Sequence, residues 1–159
     1  MLTNLLKLTG ADNARENASG TFELFFGDSL RLATTQEINL AKTLKLREEV
    51  NAERDRREAL GLVFQFSDGP GTIQTRDIVD FRNIAGQVSA ATILMMQGIT
   101  DPVLWFIDAE NVKHPMTPAE MLNLGIAVQT HIAGLYDAAA TIKAGIDPDN
   151  FDIALGWPG

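Results

Sequence analysis

Residues 76–98, RDIVDFRNIAGQVSAATILMMQG, carry the one helical pattern in this 159-residue chain that is apolar around most of its circumference. Ile78, Phe81, Ala85, Val88 and Met95 fall on one helical stripe, and Ile84, Ala91 and Leu94 widen it beyond what a one-sided surface helix needs. Such a helix requires cover from more than one side, and its neighbours in sequence must supply it. A further helical pattern lies on each side of it, and two strand-like pairs lie between the three. The expected fold class is therefore α+β, with three main helices, two short β-hairpins and a β-rich N-terminal arm.

Composition is that of an ordinary globular chain, 45% hydrophobic and 21% charged, long enough to bury a core without staples. No apolar run approaches the roughly 18 residues that a bilayer span needs, and MLTNLLKLTG is too short and too weakly basic for a signal peptide. The expectation is a protein made and kept in a cytoplasm, with no membrane contact. With no cysteine, disulfides, thiolate catalysis and cysteine zinc sites are excluded. A formal net charge of −8 argues against a nucleic-acid partner, which would call for a basic patch to displace counterions.

The chain divides by pattern into three parts. Residues 1–34 read as an arm: polar GADNARENASG is followed by TFELFFGDSLRLATT, in which Thr21, Glu23 and Phe25 alternate with Phe22, Leu24 and Phe26 as in a strand. A lone two-stranded hairpin is marginal in water, so the arm is expected to dock on its own domain or on another chain. Residues 146–159, IDPDNFDIALGWPG, form an aperiodic tail whose apolar residues imply the same. The partner-binding candidates are accordingly Phe22, Leu24, Phe25 and Phe26 in the arm and Phe151, Leu155 and Trp157 in the tail.

Between them, residues 35–145 alternate helix and hairpin. Thr34 or Thr35 caps the first helix with Glu37 placed for a capping box, Ile38, Ala41 and Leu44 give it an apolar edge, and Gly61 ends it. In its charged half, Glu53 with Arg57 and Arg54 with Glu58 are spaced to pair across one turn. LVFQF and TIQT around SDGPG read as a hairpin, and Thr75 as the N-cap of the central helix, which Gly98 closes. Leu104 to Ile107 and Val112 to His114 around DAEN read as a second hairpin. Thr117 at N-cap, Pro118 at N1 and Glu120 at N3 are the clearest helix start in the chain. That helix should run to about Ala144, with Met121, Leu124, Val128, Ile132, Leu135, Ala139 and Ile142 on one side, thinned by Gly125 and Gly134 for close approach of another backbone.

Three motifs invite chemistry and fail its requirements. Gly27-Asp28-Ser29-Leu30 matches the opening of a large family of serine esterases. That chemistry needs the serine on a strand-to-helix turn and a histidine preceded at three residues by an aspartate. Asn111 and Val128 stand before His114 and His131 instead. Asp147, Asp149, Asn150 and Asp152 suggest a calcium loop, yet its fifth, sixth and twelfth positions would be Phe151, Asp152 and Pro158, where an oxygen ligand, glycine and glutamate are required. Two isolated histidines do not make a metal cluster. No P-loop or dinucleotide fingerprint is present.

Several short blocks occur in one order between Leu46 and Ala144, about three-fifths of the chain. They are ERDRRE at 53–58, VFQF at 63–66, QTRD at 74–77, NIAG at 83–86, Trp105 within LWFID, and VKHPMTPAEM at 112–121, followed by the alanine-rich helix. In this order they resemble an uncharacterised domain of bacteriophage and prophage tail genes, often found at the end of tail-fibre-like proteins. The resemblance implies a structural or adaptor component of the virion tail (tip, baseplate or fibre), with other tail proteins and further copies of itself, a trimer or hexamer, as partners. It brings no catalytic residues, cofactor or metal, so no enzymatic activity is expected. Two other readings are a tail-fibre assembly factor absent from the finished particle and a serine esterase acting through Ser29.

Overall fold

In the computed structural model, which describes residues 1–158, the chain is mixed α and β: four helices and three small antiparallel sheets. Two compact units divide it. One is made of residues 1–53 and 139–157, the other essentially of residues 54–138. The boundary thus falls inside a helix rather than at residue 34, and the arm and tail belong to the same unit.

The first unit opens with helix α1, Leu2–Thr9, closed by Gly10 in the left-handed conformation at φ 68°. Strands β1, Asn13–Glu16, β2, Phe22–Phe26, and β3, Ser29–Leu32, follow in a three-stranded sheet of order β1-β2-β3. The alternation expected in TFELFF is realised. Phe22 and Leu24 are buried against Leu5, Ala11, Ala14 and Ala41, while Glu23 and Phe25 lie on the outer face beneath Arg15, whose guanidinium bonds Glu23 and lies 5.2 Å from the Phe25 ring centroid. Helix α1 and strand β1 were not anticipated, which corrects the three-helix expectation to four. They matter because they complete the sheet and cover one side of it.

Helix α2, Thr35–Leu60, begins with the predicted box: Glu37 N–H donates to the Thr34 hydroxyl, and the Glu37 carboxylate accepts from the Thr34 N–H. Arg31 adds two hydrogen bonds to that carboxylate, and with the Thr34 N–H they pull it down to about 2. Gly61, at φ 80°, turns the chain out of α2 where an added Cβ would lie 2.3 Å from the Ile73 carbonyl oxygen.

The second unit holds two β-ribbons and two helices. Strands β4, Leu62–Phe66, and β5, Gly69–Ile73, pair through a tight turn at Ser67 and Asp68; strands β6, Leu104–Ile107, and β7, Lys113–Met116, pair likewise. Helix α3 spans Ile78–Met96 and α4 Pro118–Ala144, the latter opened by the Thr117–Glu120 capping box. Phe66, Ile73, Ile84, Ala91, Phe106, Met116, Met121, Leu124 and Val128 form the core.

Two expectations about α3 are corrected. Its N-cap is Asp77, whose carboxylate accepts from the N–H groups of Val79 and Asp80, whereas the buried Thr75 hydroxyl donates to the Glu58 carbonyl at the end of α2. Its buried line is Ile84 and Ala91, flanked by the half-buried Phe81 and Val88; Ile78 and Met95 of the expected stripe are exposed, at 69% and 45%. A pattern apolar on all sides does not say which side finds cover. In the charged half of α2, Arg54 bonds its neighbour Asp55 and lies over the Tyr136 ring, with Glu58 adding a smaller attraction. No helix among the described residues is long and apolar enough to cross a membrane.

Leu24 is fully buried and Leu32, on edge strand β3, is 56% exposed. Leu24→Ala should cost about 2–5 kcal/mol in urea unfolding, and Leu32→Ala no more than about 0.5 kcal/mol. Equal losses would show that the three-stranded sheet does not pack on α1.

Candidate functional site

The two ribbons of the second unit are joined by a charge cluster in which His114 and Asp108 are buried and Asp68 reaches solvent, its side chain 41% exposed. Asp68 sits in the β4–β5 turn, Asp108 ends β6, and His114 lies on β7; His114 Nδ1 is 2.7 Å from an Asp68 oxygen and Nε2 is 3.2 Å from an Asp108 oxygen. A neutral imidazole has one N–H, so two carboxylate acceptors require the doubly protonated ring. Burial pushes the His114 pKa down, but its hydrogen bonds to Asp68 and Asp108 outweigh burial and hold it above the usual histidine value. For Asp108, burial pushes up, and the N–H groups of Val112 and Glu110 together with His114 hold the carboxyl below its usual range.

The packing around this cluster is as specific as its charge. The Phe66 ring stacks on His114 with centroids 3.8 Å apart and planes 5° from parallel. Opposite, Gly71 leaves room that a side chain would fill: a Cβ there would lie 2.6 Å from Asp108 Oδ2 and 2.9 Å from His114 Nε2. The Thr72 carbonyl accepts from Ala109 N–H at 2.8 Å and ties β5 to the β6–β7 turn. With both ring nitrogens donating, His114 has no lone pair with which to take a proton from a substrate. It positions the ribbons.

What those ribbons and the core position is an apolar groove along α3 and α4. Its cavity of about 650 Å³ is lined chiefly by Phe81, Ala85, Val88, Leu122, Gly125 and Ile126. Gly125 lets the helices approach closely, since a Cβ there would come within 2.6 Å of Val88 Cγ2; Gly134, expected to do the same, has nothing within 4 Å of such an atom. Apolar side chains on both helices are open to water, in the groove and elsewhere. Ile126 is 64% exposed, Ile93 57% and Met96 84%. Neither Asn83–Gly98 nor Met121–Tyr136 contains an aspartate, glutamate, lysine or arginine.

The sequence-derived partner residues lie elsewhere. Phe22 and Leu24 face the core of their own unit, so their side chains are not open to a partner; Phe25 and Phe26 are half-buried, each with an arginine over its ring. In the tail, Phe151 and Trp157 are half-buried, the latter donating to the Ile153 carbonyl, and Leu155 is exposed. Ser29 opens strand β3 after a hairpin turn rather than standing on a strand-to-helix turn. The ring nitrogens of His114 are taken by carboxylates, and His131 Nε2 is buried without a hydrogen-bond partner. Among the described residues no group of three or more histidines and acids is arranged to hold a metal, and Asp147 and Asp149 instead shape a turn.

Residues 41–155 match the domain of unknown function DUF4376, and the chain belongs to that family. Neither a curated protein nor a solved structure matches the chain.

Two linked titrations follow from the cluster. The His114 contribution is fully present below its ordinary value of 6.5 and is lost as pH rises through its raised folded value; that of Asp108 is present above 3.8 and is lost as pH falls through its depressed one. The thermal midpoint should therefore peak between about pH 4 and 6.5 and fall toward pH 9, and His114→Gln should be less stable at pH 6 with the alkaline decline flattened. An unchanged slope in that variant would remove the charged ring from the account. Gly71→Ala should cost about 1–3 kcal/mol by driving a methyl group into the cluster.

Proposed function

We propose that this DUF4376 chain is a structural or adaptor component of a bacteriophage tail, made in the host cytoplasm, that acts by protein–protein assembly and pairs with further copies of itself through the α3/α4 face. The observation that carries the assembly reading is the open apolar groove, in which Ile126 is 64% exposed, on a helix pair that also leaves Ile93 and Met96 exposed. An apolar groove left open to water is the kind of surface that marks an interaction site. The tail context rests on the resemblance carried by the blocks from ERDRRE to VKHPMTPAEM.

Charge favours a second copy as the occupant. Each chain carries −8, so two copies repel over most of their surfaces, whereas the stretches that form this face carry no formal charge. A like face meets it without burying an unpaired ion, and apolar area removed from water supplies about 25 cal/mol per Å² before the costs of association. Symmetric pairing of one patch with its own copy is the commonest route to closed oligomers.

Light scattering should find an oligomer at about 0.1 mM, and Ile126→Glu, which places a carboxylate on the exposed groove, should shift it to monomer with helicity unchanged. A wild-type chain that stays monomeric there, or an Ile126→Glu oligomer of undiminished size, would overturn self-pairing. Mass spectrometry of purified virions separates the structural component from the assembly factor. Peptides of this chain are expected in the particle, and their absence would favour the factor.

A further inference from the structure

A second hollow, of about 310 Å³, lies between the first half of α3 and strand β6 and has the opposite chemistry to the groove. Asp80, Asn83 and Gln87 stand on one face of α3 at steps of three and four, and Gln74 joins them from the segment after β5. Strand β6 borders the hollow with Trp105 and Ile107, which project from the outer face of the ribbon, and with Phe106 on the inner face beside Ile84. The indole is 52% exposed, a large apolar surface left open on a rigid ribbon. The Lys113 ammonium, 4.3 Å from its ring centroid, helps to hold it in place.

The charges at this hollow are an Asp80–Arg76 pair and the Lys113 ammonium on the indole. Arg76 bonds the Asp80 carboxylate at 3.1 Å and also donates to the Gln74 side-chain carbonyl, so the one acid is paired and Gln74 keeps its amide N–H groups to offer. Three primary amides, those of Asn83 and Gln87 with donor and acceptor and that of Gln74 with its donors, then line the same hollow as Trp105.

We propose that this hollow binds a neutral saccharide. A sugar hydroxyl is donor and acceptor at once, which is what the side-chain amides of Gln74, Asn83 and Gln87 match, while the weakly polar C–H face of a pyranose ring packs on the electron-rich face of an indole. Other ligand classes fit less well. A purely apolar ligand would strip water from Asn83 and Gln87 and leave them unpaired. An anionic one would have to compete with Asp80 for Arg76, on a chain of net charge −8. The size and the balance of one apolar wall with a few convergent polar groups are those of a small-ligand site.

The chain has two tryptophans, so Trp157→Phe leaves Trp105 as the sole indole reporter. Its emission should be followed while glucose, galactose, N-acetylglucosamine and the trisaccharides maltotriose and chitotriose are added up to about 50 mM, enough to see a millimolar site. At least one is expected to give a saturable change. Asn83→Ala and Gln87→Ala should each weaken it by about tenfold, with circular dichroism and thermal midpoint preserved, and Ser89→Ala, outside the hollow, should leave it unaltered. No saturable change with any of the five, or a change that survives both amide replacements, would overturn the proposal. The readout is taken on the isolated chain and is independent of whether the α3/α4 face self-associates.

Discussion

One imidazolium held between two carboxylates joins the ribbons of the second unit, and much of that unit's geometry follows from keeping it paired and dry. Removing a charge from water is tolerable only when its hydrogen bonds are complete. Here Asp68 and Asp108 take both ring protons, two backbone N–H groups satisfy Asp108, and Phe66 covers the ring face. The absence of a side chain at residue 71 is part of the same requirement. Because β4–β5 and β6–β7 are separate two-stranded sheets, this polar contact and the Thr72–Ala109 hydrogen bond supply a registration that a continuous ladder would otherwise give. Phe66 and Phe106, stacked at 6.0 Å, then pass that registration into the core below α3 and α4.

How much of this could be read from sequence depended on the distance over which each choice is made. Capping boxes at Thr34 and Thr117 involve partners three residues away, and both form. The hairpins of the second unit are set by short alternating runs and turns, and both form, though β5 takes in Gly69–Gly71 of the expected turn and stops at Ile73, and β7 runs Lys113–Met116 rather than Val112 to His114. Helix α1 was missed because LTNLLKLT is brief and has no side-chain cap; what stabilises it is Leu5 buried under a sheet whose strands come later. Thr75 and Asp77 were both plausible caps by residue type. The choice was made by the Glu58 carbonyl, 17 residues away, which takes the Thr75 hydroxyl.

The His114 cluster joins residues 46 and 6 positions apart and has no local signature. A histidine inside an otherwise apolar ribbon, two residues before a buried methionine, was the available hint. The open face of α3 was half legible: an all-round apolar helix announces that it needs cover, but periodicity cannot say which sector its own chain leaves bare. Trp105 was noticed as part of a motif, while the amides beside it came from α3 and from the segment after β5, elements that only the fold brings together.

Small separate ribbons expose strand borders, and a bare border is an invitation to a stray strand. Pro70 in β5 and Pro115 in β7 each lack the N–H that such an intruder would seek. In the first unit, Arg15 and Glu16 on β1 and Arg31 on β3 place charge along the outer strands. These residues interrupt runaway stacking of the kind that ends in fibrils.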